Sequence, residues 1–400
     1  MPAVRHVLIS GAGIAGPTLA HGLHRHGIAA TVVERAPVIR SGGYAIDVRG
    51  AAVDVADRMG LLPDLRRART GMNRVSVVNA RGHRVTGFDA ADLTPSGRSL
   101  EVLRGDLVTL LYRHTREHTE YVLGDRFTSL DQDDDGVRVR FEHGAPRTTD
   151  LVVGADGLHS GTRRLAFGPE ERYRRFLHGY ISFCDVPHHL GLADETLLYN
   201  TTRGLTALYH SPRKELAQAL FGLSSAEDTG IDRASPEEQR RMLREHFSGA
   251  GWETDRLLDE MDRSDEFYFD AVAQIRMDRW SAGRVTLLGD AGYCPSPMTG
   301  QGTSLALVGA YVLARELARH DALAPALAAY EDRMRPFVRV NQDIADTGMS
   351  FLAPRTRFGI TARNLLLRAA PALSALPGLG NRMSRAAEAI DLDAPSPASA

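Results

Sequence analysis

The chain of 400 residues has 48 basic and 50 acidic side chains, so its formal net charge is −2, and 43% of its residues are hydrophobic. This composition is typical of a globular protein, excludes disordered, collagen-like and coiled-coil chains, and argues against nucleic-acid binding. The two cysteines, Cys184 and Cys294, lie too far apart in sequence for a disulfide framework. We find neither a signal peptide nor an apolar run long enough to span a bilayer, so we expect a cytoplasmic protein without membrane contacts.

The N-terminal residues predict a βαβ unit. Residues 7–9 form a short apolar run typical of a buried strand, and residues 14–26 carry apolar side chains at helical spacing. Gly27 follows this pattern as a helix C-cap would, and residues 29–34 form a second buried strand. Because such a crossover joins neighbouring parallel strands, we expect a parallel sheet here.

The middle of the chain alternates helical and strand patterns without an internal repeat, and the end is helical. Ser235 is a good N-cap followed by Pro236 at the first helical position. The tail from residue 394 is rich in Pro, Ser and Ala, which is typical of disorder. In chain order we predict a helix at residues 100–116, strands at 136–142 and 150–153, a β-rich region at 176–223, a helix from 235, a strand at 284–288 and helices after 303.

A glycine-rich turn joins the first predicted strand to the first predicted helix. The pattern G-x-G-x-x-G is formed by Gly11, Ala12, Gly13, Ile14, Ala15 and Gly16. The first glycine permits the tight turn, the second lets a pyrophosphate approach the backbone, and the third lets helix and strand pack closely. The amides at the helix start supply an anion site. Glu34 ends the second strand, where it can accept ribose hydroxyls and would repel a 2′-phosphate. This turn therefore predicts NAD or FAD binding, the alternative being a turn that binds nothing.

Two later motifs distinguish between these cofactors. The dipeptides Asp156-Gly157 and Gly289-Asp290 each follow a buried strand, and a Pro/Gly-rich run at residues 297–302 precedes an apolar helix. An NAD dehydrogenase does not need these additional turns. A protein that binds a cofactor with a pyrophosphate, a ribitol and a large ring does need them. Asp290 can bind a ribitol hydroxyl, and the amides of residues 300–302 can stabilise negative charge on a ring oxygen. Together the motifs favour FAD.

With these three motifs in this order, the chain resembles the class A flavoprotein monooxygenases of the p-hydroxybenzoate hydroxylase fold. The resemblance covers residues 4–345. Within that family, residues 42–49 and 300–309 look most like the tetracycline-inactivating and polyketide-tailoring hydroxylases of bacteria.

The resemblance implies an α/β fold in which a Rossmann-like FAD-binding domain of the glutathione-reductase type is interleaved with a β-sheet substrate domain. The FAD-binding domain would comprise residues 1–70, 99–175 and 272–345, and the substrate-binding domain residues 71–98 and 176–271. Residues 346–400 would form C-terminal helices and a disordered tail.

The resemblance also implies which residues bind FAD through its adenosine and phosphate parts. Glu34 would bind the adenosine ribose, and Arg35 would lie near the adenine. Arg104 would contact the ribityl or phosphate region. Asp156 would serve both FAD and NADPH, and Arg40 would help with the transient nicotinamide cofactor.

At the ring end, Asp47 and Arg49 would lie in the loop beside the isoalloxazine. Asp290, which follows Gly289, would hold the ribitol. The residues expected at the pyrimidine edge are Pro297, Gly300 and Gly302.

Catalytic residues are less well defined by the sequence. The candidates are Arg49, in the loop beside the isoalloxazine, and Tyr209 and His210. The latter two fall in the β-rich region that should line the substrate pocket, where a phenol needs a base that works near pH 7. Ordinary sheet packing is the alternative for each of them. We expect no metal site, since His21, His24 and His26 lack a completing carboxylate or cysteine and are interpreted as solvated residues of the first helix. The cysteines are not expected to have a redox role.

The implied activity is that of an FAD-dependent monooxygenase. NADPH or NADH would reduce non-covalently bound FAD, and O2 would add to give a C4a-hydroperoxide that hydroxylates a phenolic or polycyclic aromatic substrate, such as a polyketide or an antibiotic. Baeyer–Villiger insertion, epoxidation, a non-oxygenating FAD oxidoreductase and a protein that merely sequesters a ligand remain open. A flavin halogenase is disfavoured because Trp252 and Trp280 are isolated rather than part of a W-x-W-x-I-P segment. We expect a monomer or a homodimer, with small-molecule partners only.

Overall fold

The computed structural model describes residues 4–40, 42–89, 97–209, 215–345, 353–373 and 379–395. The strands are β1 (His6–Ser10), β2 (Ala29–Glu34), β3 (Ala45–Arg49), β4 (Arg74–Val78), β5 (Arg84–Asp89), β6 (Ser99–Leu103), β7 (Glu120–Leu123), β8 (Phe127–Gln132), β9 (Val137–Phe141), β10 (Arg147–Thr149), β11 (Leu151–Gly154), β12 (Arg174–Pro187), β13 (Glu195–Thr201), β14 (Gly204–Tyr209), β15 (Leu216–Ser224), β16 (Phe267–Ile275), β17 (Ser281–Ala282) and β18 (Val285–Leu287). The helices are α1 (Ala15–Arg25), α2 (Ala51–Arg58), α3 (Leu62–Arg67), α4 (Arg104–Thr115), α5 (Gly161–Phe167), α6 (Pro236–Phe247), α7 (Thr254–Arg263), α8 (Asp290–Tyr293), α9 (Gly302–Arg319), α10 (Leu323–Asp343), α11 (Arg357–Leu373) and α12 (Leu379–Ala387).

The N-terminal βαβ unit belongs to a six-stranded sheet with the strand order β17-β18-β11-β1-β2-β7. The pairs from β18 to β7 are parallel, and β17 is antiparallel to β18. The second strand has the predicted bounds, and α1 lies within the predicted helix. The parallel sheet expected from the sequence is therefore confirmed.

Alternate residues of the central strands face two different hydrophobic cores. Val7 and Ile9 of β1 belong to a large core that includes residues of α1, α9 and α10. Leu8, between them, belongs to a smaller core with the three-stranded sheet β10-β9-β8. Because side chains alternate across a strand, burial on both faces explains why the strand is a continuous apolar run.

The second large sheet has seven strands in the order β16-β12-β15-β14-β13-β4-β5. Its pairs are antiparallel except for the parallel pair β13–β4. Helices α6 and α7 pack on it through buried residues such as Leu243 and Leu258. Helix α6 begins where predicted, with a capping box in which Ser235 Oγ accepts from the Glu238 amide at 3.3 Å and Glu238 Oε2 accepts from the Ser235 amide at 3.2 Å.

The predicted helix at residues 100–116 is wrong in its first turn. Residues 99–103 form strand β6, which pairs antiparallel with β3, and the helix α4 begins only at Arg104. Val102 lies opposite Ile46, and Leu100 lies opposite Val48. This pairing buries alternate residues, so tertiary contacts override a local pattern that a helix would also fit.

Helix α11 packs on β5 at one end of the seven-stranded sheet. Val85 is the extra residue of a β-bulge opposite Val77 and Val78. The Nε and Nη2 atoms of Arg368 in α11 donate to the carbonyl of Val85 at 3.1 and 2.8 Å. Residues 396–400 of the tail predicted to be disordered lie outside the described residues. In the described part of the chain, no helix combines the length and the apolarity that a membrane crossing requires.

The interpretation of the α1 histidines as solvated is wrong for His21. Its ring is buried against His114, with 4.8 Å between the ring centroids, and it also contacts His118. His24 stacks on His118 at 3.9 Å. Burial and the neighbouring His114 lower the pKa of His21 to about 4. The reason is that this face of α1 packs on α4 rather than facing water.

We expect this histidine contact to make stability depend on pH. The folded state favours the neutral ring of His21, because its pKa of about 4 lies below its ordinary value of 6.5. The stabilisation is therefore complete above pH 6.5 and is lost as the pH falls toward 4, by up to about 3 kcal/mol. Urea denaturation of the wild type and of His21→Leu at pH 7.5 and pH 4.5 should show a smaller loss in the variant.

The exposed His143 supplies the control, and His143→Gln should behave as the wild type does. An equal loss of stability in His21→Leu and the wild type would contradict the assignment to His21.

Candidate active site

Two glycines of the glycine-rich turn, Gly11 and Gly16, are packed too closely for a side chain, whereas Gly13 has space beside it. A Cβ at Gly11, whose φ is +109°, would lie 2.4 Å from the carbonyl oxygen of Ala155. A Cβ at Gly16 would lie 2.0 Å from the carbonyl oxygen of Gly11. Neither contact tolerates a side chain. At Gly13 the nearest heavy atom to such a Cβ is Nη2 of Arg104 at 3.8 Å, so this part of the turn is accessible to a ligand.

Glu34 lies at the end of β2 and joins it to the turn. Its Oε2 accepts from the amide of Ala12 at 2.9 Å, and its Oε1 accepts from the amide of Ala36 at 2.9 Å. Each carboxylate oxygen keeps a lone pair that can accept from a ribose hydroxyl. Arg35 and Arg40, the other predicted residues of this region, are exposed.

Arg104 connects the glycine turn with the other predicted residues. It is the first residue of α4, and its amide donates to the carbonyl of Tyr44 at 3.0 Å. Its guanidinium reaches Gly13, and its positive charge also acts on Asp290. Burial raises the pKa of Asp290, and the charge of Arg104 partly offsets this rise. Arg104 is therefore placed to neutralise negative charge between the turn and Asp290.

Asp156 is held by contacts within the protein. Its Oδ2 accepts from the amide and hydroxyl of Thr162, both at 2.9 Å, and from Ser10 Oγ at 3.3 Å. Its other oxygen accepts from Ser160 Oγ. These bonds tie the end of β1 to the start of α5. In this arrangement Asp156 fixes the loop beside the glycine turn.

The Pro/Gly-rich run brings the remaining predicted residues together at the N-terminus of α9. Gly289 and Gly300 have φ values of +66° and +61°, and Pro297 opens a single 3-10 turn. A Cβ at Gly302 would lie 3.6 Å from Oδ1 of Asp290. A Cβ at Gly300 would lie 3.6 Å from Oδ2 of Asp47. Residues from three separate segments therefore meet at the start of α9. The predicted anion site at residues 300–302 is narrower than expected, because the Gly300 amide donates to the carbonyl of Pro297 and the Gln301 amide donates to Thr299 Oγ1, both at 3.2 Å.

Arg49 is a buried cation within this group of residues. It is 8% exposed, its Nη2 pairs with Oδ2 of Asp47 at 2.7 Å, and its amide donates to Ser304 Oγ at 3.1 Å. Its Nε and Nη1 are buried and have no partner among the described residues. Unsatisfied buried donors are costly, so these two atoms indicate that a ligand acceptor belongs here. The residues present thus fit a flavin ring.

A carboxyl that the sequence analysis missed lies beside this pair. Glu101 of β6 is opposite Asp47 of β3, and its Oε1 accepts from Thr70 Oγ1 at 2.5 Å and from Tyr209 Oη at 3.4 Å. Burial raises the pKa of Glu101, although Thr70 opposes the rise. Because Tyr209 belongs to β14, this contact links the two-stranded sheet β3–β6 to the seven-stranded sheet. The candidate His210 lies outside the described residues.

An aromatic wall, formed by Tyr44, Phe183 and Tyr268, was also missed. The rings of Tyr44 and Phe183 stack with centroids 4.4 Å apart, and Tyr268 lies 5.5 Å from Tyr44. Burial raises the pKa of Tyr44 to about 12, so its hydroxyl is protonated at neutral pH. Gln218 Nε2 fixes the neighbouring loop by donating to the carbonyl of Gly43 at 3.1 Å. The wall offers a flat apolar surface to a planar ligand.

Both cysteines are buried and unpaired. Cys294 lies near the flavin motifs, where its Sγ is 3.8 Å from the carbonyl of Ala273. Burial raises the pKa of Cys294 well above its ordinary value, so the thiolate is disfavoured.

Comparison with known proteins identifies the family. Residues 5–345 match the family described as FAD binding domain. A flavin-dependent monooxygenase from an unknown prokaryotic organism is 40% identical over 351 residues, which are 86% of this chain and 89% of that protein. A flavin-dependent monooxygenase from Legionella longbeachae is 37% identical over 344 residues, which are 84% of this chain and 86% of that protein.

Solved structures agree with this result. The crystal structure of tetracycline destructase Tet(55) has a TM-score of 0.85 and 36% identity, with 98% of this chain and 100% of that chain covered. Tetracycline destructase Tet(51) has a TM-score of 0.83 and 32% identity over the same shares of the two chains. The α/β fold predicted from three motifs is thereby confirmed, and the chain belongs to the class A FAD-dependent aromatic monooxygenases.

Proposed function

We propose that this protein uses NADPH or NADH and O2 to hydroxylate a polycyclic phenol of the tetracycline or polyketide type. The observation that carries the proposal is the meeting of the buried, partly unpaired Arg49 with the α9 N-terminus beside an aromatic wall. Sequence identities of 36% and 32% to two tetracycline destructases support the substrate class. An antibiotic or its biosynthetic precursor is the corresponding biological substrate.

FAD would be held along the line of residues that joins the glycine turn to α9. The turn and Arg104 would face the pyrophosphate, and Glu34 would accept from the adenosine ribose. Asp290 would bind the ribitol, and the amide of Gly302, the first residue of α9, would face the pyrimidine edge. When bound, FAD supplies electron transfer from the nicotinamide and the activation of O2.

The residues of the chain provide charge, position and exclusion of water. Arg49 and the start of α9 favour negative charge at the pyrimidine edge, and Asp47 fixes the guanidinium in place. Tyr44 and Phe183 can stack on a planar substrate and keep water away from its reacting carbon. The Tyr209 hydroxyl, held by Glu101, can orient a phenolic oxygen.

The activity is tested with the purified holoprotein. We expect a visible flavin spectrum, and faster NADPH oxidation in air when a tetracycline, an anthraquinone or a naphthoquinone is added. The accepted compound should gain one oxygen atom by mass spectrometry. Simple monocyclic phenols provide the comparison that tests the preference for polycyclic substrates.

Bound flavin without stimulated oxidation or oxygen gain across this panel would contradict the hydroxylase proposal and favour ligand binding alone. A product whose NMR spectrum shows a ring expanded by oxygen, or an epoxide, would contradict hydroxylation while leaving monooxygenation intact.

Substitution of Arg49 tests its electrostatic role. Arg49→Met removes the positive charge, and we expect a more negative flavin reduction potential and a kcat lower by on the order of 100-fold. Arg49→Lys keeps the charge and should recover part of both. Spectroelectrochemistry measures the potential, and steady-state turnover with the accepted substrate measures kcat.

The exposed Arg81 gives a control for the loss of a guanidinium, so Arg81→Met should match the wild type. A potential that is the same in Arg49→Met and Arg49→Lys, with FAD bound in both, would argue against a charge effect.

A further inference from the structure

A group of charged side chains beside the aromatic wall joins three segments that are distant in sequence, and one of its members, Asp270, accepts from Tyr268 Oη at 3.0 Å. His159 follows β11, Asp232 lies in the 3-10 turn Ile231–Arg233, and Asp270 belongs to β16. One nitrogen or oxygen atom from each lies within 4.8 Å of the others. Nε2 of His159 is 3.3 Å from Oδ1 of Asp270. Ligand atoms at 2.0–2.2 Å from a tetrahedral metal ion are about 3.3–3.6 Å apart. The pair formed by His159 and Asp270 has this spacing, and the ligand atom of Asp232 lies within 4.8 Å of both.

The other nitrogen of His159 is already occupied. Nδ1 lies 3.0 Å from Oε1 of Glu170. The other oxygen of Glu170, Oε2, pairs with Nη2 of the fully buried Arg163 at 2.7 Å. Metal-binding histidines commonly donate their second ring N–H to a carboxylate in this way. The contact with Glu170 therefore orients Nε2 toward the two aspartates.

Asp232 provides an independent indication of a missing ligand. Its side chain has no exposed surface, and its Oδ2 pairs with Nη2 of Arg174 at 2.7 Å. Its Oδ1 is buried without a hydrogen-bond partner in the described part of the chain. A buried carboxylate oxygen without a donor is costly, and a cation bound at Oδ1 would remove this cost.

The charges of the surrounding network are unequal. Its carboxylates are Glu170, Glu171, Asp228, Asp232 and Asp270. Its guanidinium groups are Arg163, Arg174 and Arg233. With the neutral imidazole that metal binding requires, these described groups carry an excess of two negative charges, which one divalent cation would balance; with His159 protonated the excess is one.

We propose that His159, Asp232 and Asp270 bind one divalent transition-metal ion, through Nε2 and two carboxylate oxygens, with water at the remaining position. The imidazole ligand favours zinc-type ions over Mg²⁺ and Ca²⁺, which prefer oxygen alone. The bound ion cross-links β16 of the seven-stranded sheet to the loop that carries Asp156. Without a cation, Asp270 and Glu170 stabilise a proton on the ring and raise the pKa of His159 to about 9.

Zinc binding by the FAD-loaded protein tests the proposal. After chelator treatment, we expect the wild type to take up one equivalent of Zn²⁺ in calorimetry and to melt at a higher temperature. His159→Gln and Asp232→Asn should bind Zn²⁺ at least tenfold more weakly. Mg²⁺ at the same concentration should not raise the melting temperature. The flavin spectrum of each variant verifies that it is folded.

Asp228→Asn is the matched control, because Asp228 also pairs with Arg174 but is not one of the three ligands. It removes the same charge and should retain the affinity of the wild type. Equal weakening in Asp228→Asn and Asp232→Asn would overturn the site, since it would indicate a general charge effect.

Two further results would also overturn the proposal. One is zinc uptake that survives His159→Gln but is lost in His24→Asn, which would place the ion at the stacked pair of His24 and His118. The other is no uptake by the wild type, which would leave the cluster as an ion-pair network around a protonated His159.

Discussion

The close approach of the Gly11 backbone to the carbonyl of Ala155 is the constraint on which the active site depends. An added Cβ would lie 2.4 Å from that oxygen, so the ends of β1 and β11 can be neighbours only if residue 11 has no side chain. This approach places Asp156 within reach of Ser10 and leaves the turn open at Gly13. The guanidinium of Arg104 lies beside this opening, with Nη2 3.8 Å from a Cβ built at Gly13.

The site itself is formed between two sheets that contact each other through a small set of interactions. Glu101 meets Tyr209, Gln218 holds the carbonyl of Gly43, and Tyr44 stacks on a ring from β12. Each contact joins a residue near the expected flavin ring to the seven-stranded sheet. A substrate bound beside the proposed flavin ring would therefore contact side chains from both sheets, and proteins that share the flavin motifs can differ in these side chains.

Local signals in the sequence predicted much of the fold. The bounds of β2 and the start of α6 follow from apolar runs and from the Ser235 cap, which depend on neighbouring residues only. The error at residues 100–103 arose because a short run such as residues 99–103 fits either a strand or the start of a helix. The pairing with β3 decided in favour of the strand.

The missed parts of the site share one cause. Glu101 was hidden in the segment assigned to a helix. Tyr44, Phe183 and Tyr268 are far apart in the sequence, and their stacking exists only after the sheets have come together. The burial of His21 likewise depends on α4. The glycine motifs could be recognised because the residues of each motif are consecutive or only a few positions apart in the sequence.

The bulge at Val85 gives helix α11 a protective role. Strand β5 is the outer strand of its sheet, and outer strands can recruit other chains through unpaired backbone groups. Arg368 occupies the carbonyl that the bulge leaves unpaired, and α11 packs alongside. A chain shortened after residue 345, where the family match ends, would lose this cover. Such a truncated form would retain every flavin-binding motif and yet expose an edge prone to self-association.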